Sequence, residues 1–407
     1  MRALITKASA ALLLTSSFAA AQVAVKAETI HTVSGPVITD GVVVVTDGKI
    51  TAVGPASEVS IPAGHEVLEA KILVPGFVDI RATVGLTGIY NGDDQAHDQD
   101  MLERSAPIQP GLRAIDAYNP REALLEYVRS FGVTTIHTGH APGALISGQT
   151  MIAKTRTTTL ADAVINPFFG VAATLSPKAQ SGSGAPGTRG KTYAMLREAL
   201  FGAQEHKATL DNYDGEGAPP ARDLAKEALV SVLNGEAPLI VTANRAQDIA
   251  SALRLKEEFK LTVWLDMAAE VYTLMDEVKA AGVPVLLHPT TYRAWDETKN
   301  LSFQTAAKLA DAGIPVAIQT GYEGYVPKVR VLVFEAAIAA AHGLGFKRTL
   351  ESITLTPSKL LGISDRVGSI EVGKDGDLAL FDGDPFEYTT HCTGVVIEGE
   401  VASRAVR

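Results

Sequence analysis

Between about residue 73 and residue 365 the chain alternates short apolar runs with stretches of helical periodicity, and the segments on either side are strand-like throughout. Gly132–His137, Phe168–Thr174, Pro238–Ala243, Leu261–Leu265, Val283–His288 and Ile314–Ile318 each read as a strand. Ala246–Phe259 and Glu270–Ala281 carry apolar residues at helical spacing, and Thr192–His206 reads as a further helix. Apolar strands joined by helices are the pattern of parallel βα units, whose strands are buried on both faces. The expected fold is α/β, a closed (β/α)8 barrel; an open sheet stays as the alternative, because periodicity does not distinguish them.

The ends differ in style. Val42–Val45, the turn Asp47-Gly48 and Lys49–Gly54 read as a hairpin, and Asp377–Phe381, Thr393–Ile397 and Glu398–Val401 repeat it at the C-terminus. The expectation is a small β-sandwich assembled from 22–72 and 366–407, with the barrel over 73–365. Gln180–Arg189, rich in Gly, Ser and Pro, is expected to be a flexible loop, and Asp211–Pro220 a polar connection. Lys178, Arg189 and Lys191 flank that loop and are read as solvated rather than as an anion site.

Residues 1–21 have the layout of a secretory leader: Arg2 and Lys7, an apolar stretch Ala8–Phe18, and Ala19-Ala20-Ala21 before Gln22. The expected location is periplasmic or secreted, with no membrane association after cleavage. The formal net charge of −10 becomes more negative once the leader's two cations are removed, which argues against nucleic acid or an anionic membrane as partner. The lone Cys392 cannot make an internal disulfide and is read as incidental.

Four motifs point further. Pro75-Gly76-Phe77-Val78-Asp79 closes an apolar run; Ala336–Gly343 and Ile353–Gly362 are helix-rich; Gly368–Leu378 and Gly383-Asp384-Pro385 precede the last strands. In this order they resemble the metal-dependent amidohydrolase superfamily, in particular its secreted imidazolonepropionase-like members. That resemblance implies metal ligands at the C-terminal ends of barrel strands, beginning with a His-x-His after the first-strand aspartate.

Here Arg81 and Thr83 stand at those two positions, after Asp79. The resemblance places the fourth-strand Lys or His position within Val241–Asn244, where Thr242 and Asn244 are polar. It places the fifth-strand histidine at Asp266-Met267 and the last-strand aspartate at Gln319-Thr320-Gly321. Only His288, in the sixth-strand region, keeps its type. Arginine has no lone pair to give a metal. The expected pocket lining is therefore Asp79, Arg81, Thr83, Thr242, Asn244, Asp266, Met267, Thr320 and Gly321, with no metal ligands. Arg81 is expected either to pair with Asp79 or Asp266 in place of the metal's charge or to reach solvent.

The leading functional expectation is a non-catalytic protein that binds a small amide-like ligand or pairs with an intact amidohydrolase, with a homo-oligomer also possible and no cofactor. The rival is a hydrolase of C–N (amide or cyclic amide) bonds that uses an atypical or single metal, or no metal, with His137, His140 or His288 as base; zinc is expected only for that rival. His137 and His140 flank Thr138-Gly139 at a strand end, and the small residues of Ala141–Gln149 suit a tight turn or a ligand loop.

Overall fold

The computed structural model describes residues 22–88, 99–156, 158–176, 179, 184–292, 296–322 and 331–407; the expected leader and Lys178 lie outside these. The chain opens with β1 (Gln22–Ile30), β2 (Ile38–Thr46), β3 (Lys49–Pro55) and β4 (Glu66–Pro75). It continues through β5 (Phe77–Ala82), β6 (Val133–Gly139), β7 (Ile146–Lys154), β8 (Val164–Thr174), β9 (Leu239–Thr242), β10 (Val263–Met267), β11 (Val285–Leu287) and β12 (Val316–Ile318). It ends with β13 (Leu378–Phe381), β14 (Cys392–Ile397) and β15 (Glu400–Ser403).

Both ends share one hydrogen-bonded sheet of seven strands, in the order β15-β14-β13-β4-β1-β2-β3. The expectation of two stacked sheets gives way to this single sheet, in which β4 pairs with β1 from one end and β13 from the other. Asp47 and Gly48 turn the β2–β3 hairpin with φ of 51° and 79°, the left-handed pair that matches strand twist. β4 also runs to Pro75, past the expected boundary at residue 72.

The second sheet has eight strands in the order β12-β11-β10-β9-β8-β7-β6-β5. Its ends meet through Asp79 in β5 and Thr320 just beyond β12, so the sheet is nearly closed. A strict (β/α)8 alternation does not hold, because β7 is antiparallel to both β6 and β8. The connection from Gly139 to Ile146 is too short for the crossover that a parallel neighbour requires. Ile146–Gln149, expected to belong to a tight turn, is thus the start of a strand whose nine residues are all buried.

Alternation along the parallel strands sorts their side chains. Ile240, Trp264, Leu286 and Ala317 pack with Val78, Ile80 and Ile152 in the barrel interior, closed off by Leu361, Ile363 and Val367. One residue out of phase, Leu239, Val241, Val263, Leu265, Val285 and Val316 pack outward against Ile249, Ala252, Leu255, Val278 and Leu309. These outer residues come largely from the helices, of which Ala246–Phe259 has the expected bounds. Gly76, between β4 and β5, lies against β6 so closely that a Cβ there would stand 2.3 Å from the Thr134 side chain.

A buried ion-pair network joins the two sheets. The Lys154 ammonium, 1% exposed, lies 3.0 Å from Asp375 and 2.6 Å from Asp377, in the segment leading into β13. Burial pushes the Asp375 carboxyl up, but Lys154, Lys49 and Arg366 together outweigh it and hold it below the ordinary range. Arg156 extends the network to Glu398 and Glu400. Buried Cys392 has its thiol pushed up to about 12 by desolvation, in keeping with an inert residue.

Candidate functional site at the barrel mouth

Two residues beyond the interior apolar layer, the same inward face carries Thr242, Asp266, His288 and Gln319. These side chains form a polar layer at the C-terminal ends of β9 to β12. Asp266, fully buried, is its centre. It accepts from Thr242 Oγ1 at 2.5 Å and from Gln319 Nε2 at 2.7 Å, and it also accepts from the Tyr322 hydroxyl. Burial pushes the Tyr322 hydroxyl well above its ordinary value; the Arg81 charge opposes this and Asp266 adds to it.

Arg81 is 1% exposed, so the solvent-reaching alternative fails. The expected pairing fails as well: among the described residues no carboxylate makes an ion pair with it. Its Nη1 donates to the Ala82 carbonyl at 3.0 Å and its Nη2 to the His140 carbonyl. Its guanidinium carbon stands 5.0 Å from the centre of the Tyr322 ring, within cation–π range. Tyr322 therefore separates Arg81 from Asp266.

Asp79 serves the closure of the sheet. Its carboxylate accepts from Thr320 Oγ1 at 2.5 Å and from the backbone N–H groups of Thr320 and Arg81, each at 3.3 Å. Desolvation raises it to about 6, and the Thr320 hydroxyl bond is the largest influence in the opposite direction. Thr320→Val is expected to cost about 1.5–3 kcal/mol at pH 8, the range for a hydrogen bond to a charged group. The cost should shrink near pH 4, where Asp79 is protonated. Urea unfolding at both pH values checks this, and equal costs would mean that the bond does not act on the ionised carboxylate.

The three histidines separate in role. His137, fully buried, directs Nδ1 to the Ile80 carbonyl at 2.6 Å, so that nitrogen carries the proton, and Nε2 accepts from Thr150 Oγ1 at 2.8 Å. Burial and then the Arg81 charge lower it to about 3. With both nitrogens engaged, its ring is a packing and tethering element rather than the expected base. The same two influences lower His140 to about 4. His288, also fully buried, points Nδ1 at the Gln319 carbonyl, 3.2 Å away, and toward Glu335, 3.8 Å away.

The other expected lining residues shape the backbone. The Asn244 side chain accepts from Ala269 N–H and its carbonyl from Glu270 N–H, bracing a turn in which Met267 and Ala268 have φ of 69° and 57°. Two successive non-glycine residues in that region are uncommon and mark a constrained strand end. Thr83 is fully buried and its carbonyl accepts from Leu86 N–H. Gly321 has φ of 71°, and a Cβ there would lie 2.7 Å from the His288 ring, so an aspartate does not fit. Away from the mouth, Arg189 is tied to Asp248 by a two-pronged ion pair rather than solvated.

The sequence positions compared with metal ligands thus bring together a guanidinium, two hydroxyls, a carboxylate with three donors already on it, one imidazole and a glycine. This set does not fit a divalent metal, since a fixed cation lies at the site and too few lone pairs are free. No group of three or more His, Cys, Asp and Glu among the described residues is placed to hold one. Gln319, Tyr322 and Thr150 were not among the expected site residues. Gln319 is found by extending the inward alternation from Ala317, whereas Tyr322 lies past the strand and leaves no periodic signal.

Comparison with known proteins fits this connectivity. Over 94% of this chain and 100% of the other, the fold superposes on an amidohydrolase from Thermotoga maritima MSB8 with a TM-score of 0.86 and 27% identity. An imidazolonepropionase from Rhizobium rhizogenes is 24% identical, covering 85% of this chain and 87% of its own. The amidohydrolase tasK from Hapsidospora irregularis is 25% identical over 88% of this chain, which spans only 39% of that protein. The Amidohydrolase family model matches residues 190–403, from the helix Arg189–Asp211, between β8 and β9, to β15. With more than half its length matched, and its barrel ends held together by Asp79 and Thr320, the chain belongs to the amidohydrolase family.

Proposed function

We propose that this is an exported amidohydrolase-family protein whose barrel mouth has lost the metal centre and now binds a small amide-like ligand without hydrolysing it, alone or beside an intact relative. Its barrel is a variant of the (β/α)8 plan with one strand reversed. The observation that carries the reading is the buried Arg81, a permanent cation at the position where the first metal ligand of the family is expected. The engagement of both His137 nitrogens supports it, because a base needs a free lone pair directed at its substrate. Export rests on the leader-like residues 1–21.

The rival reading is a hydrolase of C–N bonds in small cyclic amides. It is favoured by relatives that carry the names imidazolonepropionase and 5-methylthioadenosine/S-adenosylhomocysteine deaminase. One preparation tests both. Protein recovered from the periplasm of an expressing bacterium is expected to begin at Gln22 and, after dialysis, to hold well under one equivalent of zinc, iron or manganese per chain. Stoichiometric metal that is lost on replacing His288 or His140 would establish the rival. An N-terminus at Met1 would remove the export part alone.

A further inference from the structure

The polar groups at the barrel mouth are unbalanced in a way that names a ligand chemistry. Arg81 is a buried cation, and a buried charge without a counter-charge is among the most costly arrangements in a protein interior. Two of its five N–H groups go to carbonyl oxygens, and Nε has no hydrogen-bond partner. The His140 ring is 4% exposed; it faces the Met101 carbonyl, but neither of its nitrogens makes a well-formed hydrogen bond. His140 is next to Arg81, since its own carbonyl takes the Arg81 Nη2 bond and its ring feels the Arg81 charge.

Among the described residues the nearby carboxylates do not supply the missing charge. Asp266 is occupied by Thr242, Gln319 and Tyr322, with the Tyr322 ring interposed. Asp79 is turned to Thr320. The same polar layer holds two more buried groups without partners, Gln319 Oε1 and the hydroxyl of Thr174, which is opposite Thr242 in the β8–β9 register. What the described residues at this end of the barrel lack is therefore one anionic acceptor, to face Arg81 and His140, and one N–H donor, to face Gln319.

We infer that Arg81 anchors the carboxylate of a small N-acylated amino acid or similar carboxy-amide, with His140 as a second contact and Gln319 Oε1 accepting from the amide N–H. A carboxylate matches the planar guanidinium fork. A phosphate dianion matches it less well, because among the described residues Arg81 is the one fixed cation in this cluster, and Asp266 and Asp79 lie beside it. The inference rests on the ligand-binding reading given above, and it reverses the charge preference of the family's site: an anion is held where a cation is expected.

Calorimetric titration of the exported protein with N-acetylglycine and with its neutral counterpart N-acetylglycinamide tests it. The carboxylate probe is expected to bind at least about thirtyfold tighter, the lower end of the loss when a buried charge pair is deprived of one partner. Arg81→Gln is expected to remove that preference while binding of the neutral probe persists. Should Arg81→Gln fail to fold, the wild-type comparison of the two probes decides. Equal binding of both probes, no binding of either, or inorganic phosphate competing as well as N-acetylglycine would overturn the carboxylate site. Release of acetate from N-acetylglycine would end the non-catalytic reading, whereas a persisting charged-over-neutral preference would still support Arg81 as the carboxylate anchor.

Discussion

Acidification from pH 7 to pH 4 will destabilise this protein by about 4 kcal/mol through three buried groups at the barrel mouth. His137 and His140 are held down at about 3 and about 4, against 6.5 for an unperturbed imidazole. Below pH 6.5 the unfolded chain takes up protons on both rings while the native state does not, so stability falls as the pH falls. At about 1.4 kcal/mol for each pKa unit, each ring accounts for about 3 kcal/mol by pH 4. Asp79 acts in the other direction. Raised to about 6 from 3.8, it binds a proton in the native state between pH 6 and pH 4 before the unfolded chain does, and so returns about 2 kcal/mol.

The variants separate these contributions. His140→Leu should flatten the decline by about 3 kcal/mol, and Asp79→Asn should steepen it by about 2 kcal/mol, because Asn keeps the hydrogen bonds to Thr320 without the proton. Urea midpoints at pH 7, 5.5 and 4 for the three proteins read this out. A profile that His140→Leu leaves unchanged would show that the ring is solvated enough to protonate in the folded state.

Replacing Lys154 with Met is the second change with a large expected effect, about 3–5 kcal/mol, the cost of removing one partner from a buried pair. Asp375 keeps Lys49 and Arg366, but Asp377 loses its ammonium partner and retains the Glu398 backbone N–H. Both carboxylates are nearly inaccessible to water, so hydration cannot compensate. The control is Lys207→Ala: the Lys207–Asp211 pair has side-chain exposures of 38% and 61%, and its loss should stay within about 0.5 kcal/mol. Because the network joins the two sheets, the Lys154→Met transition should also broaden as they begin to unfold separately. A shift below about 1 kcal/mol would mean that Lys154 reorganises to reach water.

Reading the chain before its fold succeeds where the physics is local. The Asp47-Gly48 turn, the helix Ala246–Phe259 and the parallel strands β9 to β12 follow from turn chemistry and from residue spacing. The presence of Arg81 and Thr83 after Asp79 is likewise read directly from the first-strand motif. The reversal of β7 was hidden because Gly148 and the polar residues around it break the apolar run that marks a strand, although all are buried.

The roles of the polar residues depended on tertiary structure, because each is set by a partner far away in the chain. Asp79 lies 241 residues from Thr320, and Lys154 lies 223 residues from Asp377. Spacing along one strand tells which face a side chain takes, but not whether a carboxylate, a carbonyl or a ring waits across the barrel. For Arg81 the sequence determined only that a fixed cation follows the first-strand aspartate by two residues. Only the fold decided that it is buried against Tyr322 and two carbonyl oxygens rather than paired with Asp79 or Asp266, since that choice is made by the strands and loops that close over it.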